Sequence, residues 1–298
     1  MLDEATVSAF VAAASSPGDE DLPRAALLLA RIEHRGLDPE PWLAQLARLG
    51  AEAAERVEKV GATAGLPAQV DALNDFLFVE QRFTGNEAHF EDPRNSYLDQ
   101  VLTRRTGIPI SLSVIYLDVG RRAGLHVEGV NFPGHFLVRC RARGAHQDHP
   151  RELLIDPFHA GAVLGEADCR RLLRQHAGEE AAFDRRMLAT ADKAAILIRM
   201  LANLKRVYVG MRSFPQACDA VRLILAINPT DTTELRDRGL LSYHVGDHTA
   251  ALRDLEAYLQ AVSRAGGVPD PDDEEARREH QQVWEHVKTL RRRIASFN

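Results

Sequence analysis

The chain has 298 residues, 45% of them hydrophobic, which is enough core material for two domains. Its 37 Lys and Arg against 43 Asp and Glu leave a formal charge of −6, so there is no general basic field for gripping phosphates, and nucleic acid is not the expected partner. Three cysteines, Cys140, Cys169 and Cys218, are an odd number set far apart with no Cys-x-x-Cys pair, a usage that suits a reducing cytosol better than a secreted disulfide framework.

The opening Met1-Leu2-Asp3-Glu4 is acidic where a secretory signal needs positive charge. No run approaches 18 apolar residues, and the richest, 110–119, stops at Arg121-Arg122. No membrane partner is expected, and the location expected is cytoplasmic. Residues 21–60 carry apolar groups at helical spacing, among them Ala26, Leu29, Ala30 and Ile32, then Trp42, Leu43, Leu46 and Leu49 after the break at Asp38-Pro39-Glu40-Pro41. Residues 67–105 read as short helices broken by loops at Gly85-Asn86 and Asp92-Pro93-Arg94-Asn95-Ser96. Gly107-Ile108-Pro109 then introduces a long apolar helix over 110–123, ended by Gly124, which tolerates the left-handed backbone.

Beyond Gly124 the texture changes to strand-like runs at 127–130, 136–140 and 153–155, separated by Pro133-Gly134 and the polar tract 143–151. Helices before and after a small antiparallel sheet predict an α+β domain, not a doubly wound one. From about Ala191 the chain is helical again. Ala217 and Ala251 are 34 residues apart, as are Leu225 and Leu259, with Asn228-Pro229 between the units and a turn at Gly246-Asp247 in the second. That period is the tetratricopeptide one. Two units bury their faces only against a cap, for which the α+β domain and the last helix are the candidates. Residues 268–273 read as a linker and 274–294 as that helix. Its Arg291-Arg292-Arg293 is read as a solvated end that suits the helix dipole.

The strongest chemical constellation is Ser111 and Ser113 at the start of the apolar helix, His135 in Pro133-Gly134-His135-Phe136, and Asp156 in Leu154-Ile155-Asp156-Pro157. A helix N-terminus favours an anion, a histidine on one strand would take a nucleophile's proton, and an acid on the next would hold the imidazole. Each residue also has a plain structural use. Ser111 suits a helix cap, His135 and Asp156 a buried pair, and Asp156 before Pro157 a turn. Glu80, Asn86 and Asn95 are candidates to line a cleft opposite His135, or to cap helices and close turns. His146, Asp148 and His149 lie close enough in sequence to hold a metal, but the tract is more simply a polar connection, and no metal site is assigned. Nor is a cofactor, since no phosphate-binding glycine motif occurs.

The segments Asp92-Pro93-Arg94-Asn95-Ser96-Tyr97-Leu98, Arg105-Thr106-Gly107-Ile108-Pro109-Ile110-Ser111-Leu112-Ser113, 129–136 and Leu154-Ile155-Asp156-Pro157-Phe158 resemble the bacterial SirB-type family, over roughly residues 35–262. The resemblance implies a papain- or transglutaminase-like α+β core followed by tetratricopeptide-like repeats. Active enzymes of the transglutaminase type place a cysteine at the helix start, a histidine on one strand and an aspartate on the next. His135 and Asp156 match, but the cysteine does not: none precedes Cys140. A hydroxyl is far weaker than a thiol at neutral pH, and exchange through a thioester is unavailable to serine.

The expected organisation is an N-terminal helical region 1–66, a transglutaminase-like domain 67–190, helical repeats 191–265, and a linker with a final helix 266–298. The expected function is protein or peptide binding, regulatory or scaffolding, through the repeats and the cleft. The alternative is a serine-dependent amide hydrolase or peptidase built on Ser111, with Ser113 second, and His135 and Asp156. Cys140 is expected in the core, its side chain on the opposite strand face from His135.

Overall fold

A computed structural model describes residues 1–61, 64–142, 151–264 and 274–295. His146, Asp148 and His149, and the linker 268–273, lie outside the described residues. The chain divides into two compact units, one formed by residues 8–203 and the other by 1–7 with 204–298.

In the first unit, α2 (Leu22–Leu28) and the long α3 (Glu40–Val60) precede α4 (Gly65–Asn74), which runs on through a π-helical turn to Glu80. α1 (Glu4–Ser15) starts in the other unit. Two-residue strands β1 (Thr84–Gly85) and β2 (Thr106–Gly107) pair in parallel on either side of α5 (Leu98–Arg104). α6 (Pro109–Arg122) follows. Twelve of its residues, 109–120, are buried, which is why its sequence is apolar on every side and carries no clean amphipathic stripe. Proline in its first turn sacrifices no helical hydrogen bond, and Gly124 just beyond its end has φ +84°, the conformation that stops a helix.

The sheet has five antiparallel strands in the order β6-β5-β4-β3-β7, with β3 His126–Val130, β4 Leu137–Arg141, β5 Glu152–Asp156, β6 Ala162–Leu164 and β7 Thr190–Ala191. Three of these strands correspond to the predicted runs. β6 and β7 are two or three residues long and take their strand character from the partner they pair with. Register places Val127 opposite Cys140 and Val130 opposite Leu137. The first pair faces α6, where the position of Gly120 brings the helix onto Val127. The second faces α7 (Glu166–Ala177), in a cluster with Cys169 and Leu173. The sheet is thus sandwiched between two helices. Cys140 is a buried core residue, as expected, although His135 lies before β4 and not on it.

The second unit holds α9 (Phe214–Ile227), α10 (Thr232–Val245), α11 (His248–Arg264) and α12 (Glu274–Ala295), entered through α8 (Lys193–Gly210), which crosses the division. The 34-residue period is present in the backbone itself. Arg212 and Gly246, 34 residues apart, both turn with positive φ, +57° and +85°. Ala217 and Ala251 are both fully buried. On the open side, Val283, Val287 and Leu290 of α12 pack with Ala251, Leu255 and Leu259 of α11, so the last helix serves as the cap.

Gly239 marks the closest approach of α10 and α11. A Cβ there would stand 2.7 Å from the Leu255 side chain and 3.2 Å from its backbone nitrogen, which cannot rotate away. Gly239→Val is therefore expected to cost about 2–3 kcal/mol in urea unfolding, because overpacking forces the helices apart.

Candidate functional site

Asp156 ends β5 and begins the tight turn Pro157–His159, and its carboxylate organises everything near it. Oδ1 accepts from His135 Nε2 at 2.9 Å and from the backbone N–H groups of Phe158 and His159 at 3.0 and 3.4 Å. Oδ2 lies 2.7 Å from His159 Nδ1. The turn brings His159 back onto the acid three residues before it, so one carboxylate bridges two imidazoles. Burial works to raise the Asp156 carboxyl, but the bonds and charge from His135 and His159 outweigh it and hold it below the usual carboxylate value.

His135 follows the Pro133-Gly134 turn, where Gly134 has φ +70°. A Cβ on Gly134 would come within 2.3 Å of His176 on α7, so only glycine lets that helix close over the loop. The His135 ring stacks against both His159 and His176, at centroid distances of 5.8 and 6.0 Å, and meets Phe158 edge-on. It is 4% exposed. Partial burial first, then the proximity of His135 and Arg199, lowers the pKa of His176.

The Ser111 hydroxyl is bonded to backbone groups. Its Oγ accepts from the Ile108 N–H at 3.1 Å and donates to the Asn95 carbonyl oxygen at 2.6 Å. The hydroxyl has a single proton, and that proton points at a carbonyl rather than at an imidazole. Ser113 is fully buried and its Oγ has no hydrogen-bond partner. Two positions apart on a helix, the serines project about 200° from one another, so they cannot serve one site together.

Asn95 is completely buried. Its side chain donates to the His89 carbonyl at 2.7 Å and accepts from Asn86 at 3.1 Å, while the Asn86 side-chain oxygen accepts from the His89 backbone N–H. Asn86 and Asn95 thus lock the 86–95 loop and, through Ser111, tie it to the start of α6. Glu80 forms a forked ion pair with Arg56 of α3, with contacts of 2.5 and 2.9 Å, and that guanidinium lowers its carboxyl. All three thiols are buried and free; burial pushes Cys140 up to about 12 and Cys218 to about 11, and raises Cys169 as well. None stands at the start of α6.

Sequence reasoning brought out His135 and Asp156 but passed over His159 and His176. His159 had a readable signal, an imidazole three residues after an acid across an Asp-Pro turn. His176 had none, because it meets His135 only through the packing of α7.

The repeat unit contains a groove of about 760 Å³ lined among others by Asp219, Arg222, Arg238, Arg253 and Asp254. The segment leading into α1 forms part of its wall. Asp219 accepts the Leu2 N–H at 2.8 Å, and Arg222 donates to the Leu2 carbonyl at 2.5 Å and to the Glu4 carboxylate. Leu2 itself is 4% exposed. Also lining it, Arg238 grips Asp254 through both oxygens at 2.6 and 3.0 Å.

Among known proteins, the family model described as the transglutaminase-like superfamily matches residues 40–202, and a tetratricopeptide repeat model matches 204–283. A UPF0162 protein of Xylella fastidiosa (strain Temecula1) is 38% identical over 247 residues, 81% of this chain and 85% of that protein. One from Vibrio cholerae is 29% identical over 252 residues, 81% and 88% of the two chains. Human F-box only protein 21 is 36% identical over 189 residues, which is 61% of this chain and 29% of that protein. No solved structure matches. No helix among the described residues is long and apolar enough to cross a membrane. With an α6–sheet–α7 core, a buried histidine–aspartate pair at the ends of its strands and 34-residue helical repeats after it in sequence, the chain belongs to the transglutaminase-like superfamily, with the domain followed by tetratricopeptide repeats.

Proposed function

We propose that the protein is a cytosolic peptide-binding scaffold or regulator, whose repeat groove takes a segment with a buried apolar residue followed two positions later by an acid. The observation that carries this reading is the resident segment 1–4. Asp219 and Arg222 hold the backbone of Leu2 from both its N–H and its C=O, a grip indifferent to side chain, while the Leu2 pocket and the Arg222–Glu4 contact supply selectivity. The groove is also lined by Arg238 and Arg253, both of which are paired with Asp254. The transglutaminase-like domain supports the same reading, because a thiol is missing from the start of α6 and Ser111 spends its proton on Asn95. That commitment also weighs against the serine hydrolase, which requires a fluorophosphonate probe to label Ser111; on the binding reading Ser111 is expected to remain unlabelled.

The test uses a fluorescein-labelled peptide copying residues 1–10 and the full chain carrying Leu2→Ala and Glu4→Ala, which loosens the resident segment. Fluorescence anisotropy should show saturable binding, weakened at least about tenfold when Arg222→Glu is added, a loss equivalent to one charge-assisted contact. No binding by the loosened chain, or binding indifferent to Arg222, would overturn the proposal.

A further inference from the structure

The geometry around Asp156 points to a metal site: we propose that His135, Asp156 and His159 bind one divalent first-row transition ion of the zinc class. One ligand atom from each of the three lies within 4.8 Å of the others. Two imidazole nitrogens and one carboxylate oxygen are a borderline donor set that suits zinc, cobalt or nickel over magnesium or calcium. Three protein ligands with a fourth position open is also the arrangement that leaves an ion accessible.

The surroundings are those a bound ion needs. The Asp156 carboxylate is fixed by the backbone N–H groups of Phe158 and His159, so it is aimed before any ion arrives. His159 presents Nδ1 to Asp156, and its Nε2 faces the exposed Glu87 carboxylate at 3.9 Å, beyond hydrogen-bond distance but near enough for the acid to close on a metal-bound imidazole. His135 is walled in by Phe158 and His176, which limits its ring to small rotations. His159 is 49% exposed, which gives the ion a path in and lets one ligand adjust. On loading, the two N–H···O bonds to Asp156 give way to bonds from the ring nitrogens to the ion. In a neutral imidazole the proton moves to the other ring nitrogen, so no net proton need be lost.

The inference is independent of the groove and is tested on the full chain with zinc and cobalt ions. Titration calorimetry should show one zinc equivalent, and cobalt should give the visible absorption of a low-coordinate site without a thiolate charge-transfer band. His159→Ala, a substitution at a half-exposed position, should weaken zinc at least about tenfold while circular dichroism shows an intact fold. The double change His146→Ala and His149→Ala should leave the site unaltered. The proposal fails if no stoichiometric ion binds, if a thiolate band accompanies cobalt, if His159→Ala binds as well as the parent, or if the 146 and 149 changes abolish binding.

Discussion

Replacing Asp156 with alanine is expected to be among the most damaging single changes in the transglutaminase-like domain, costing about 3–5 kcal/mol in denaturant unfolding. The carboxylate is 2% exposed and accepts four hydrogen bonds, two from imidazoles and two from the backbone of the following turn. Alanine leaves a buried His135 and two turn N–H groups without acceptors, and it removes the link between β5 and the loop before β4. Asp156→Asn keeps an oxygen on Phe158 and His135 and should cost less, about 1–2 kcal/mol, since the loss is chiefly that of charge.

The pair of variants also separates charge from shape through pH. The Asp156 carboxyl is lowered in the folded protein, so its charge contributes stability above the ordinary carboxylate value near ~3.9. That contribution is lost as pH falls through the lower, folded value. The stability difference between the parent and Asp156→Asn should therefore be full at neutral pH and shrink as the pH drops below about 4. A difference that stays constant across that window would mean that the charge on Asp156 does not stabilise the fold.

The elements that were readable in the sequence are those whose determinants are local. The helix over 110–123 was announced by Pro109 and Gly124 and appears as Pro109–Arg122. The 34-residue spacing of Ala217 with Ala251 was enough to find the repeat, because a repeated unit copies its buried positions. What was not readable depends on partners distant in sequence. β1 and β2 are strands only because Thr84 meets Thr106 and Gly85 meets Gly107. At the site, Ser111 satisfies the cap that its residue type suggests, but its second partner, the Asn95 carbonyl, is sixteen residues upstream in a loop. The hold of Asp219 and Arg222 on Leu2 spans 217 and 220 residues, and no spacing rule reaches that far.

In the repeat unit the largest effect is expected at Arg238. Asp254 is 2% exposed, and Arg238 meets both of its oxygens from α10, while its other cationic neighbour, Arg253, is 70% exposed and approaches one oxygen at 3.1 Å. Arg238→Ala leaves a buried carboxylate with one solvated partner and is expected to destabilise the unit by about 3 kcal/mol. The converse experiment separates stability from binding. Arg238→Met with Asp254→Leu removes both charges together, and such apolar replacements of buried pairs cost little, so the double variant should unfold within about 1 kcal/mol of the parent. Both residues line the groove that holds Leu2. If the pair exists to shape that groove, the double variant, combined with Leu2→Ala and Glu4→Ala, should keep its stability but bind the acidic peptide more weakly. Unchanged affinity would assign the pair to helix packing alone and leave recognition to Asp219 and Arg222.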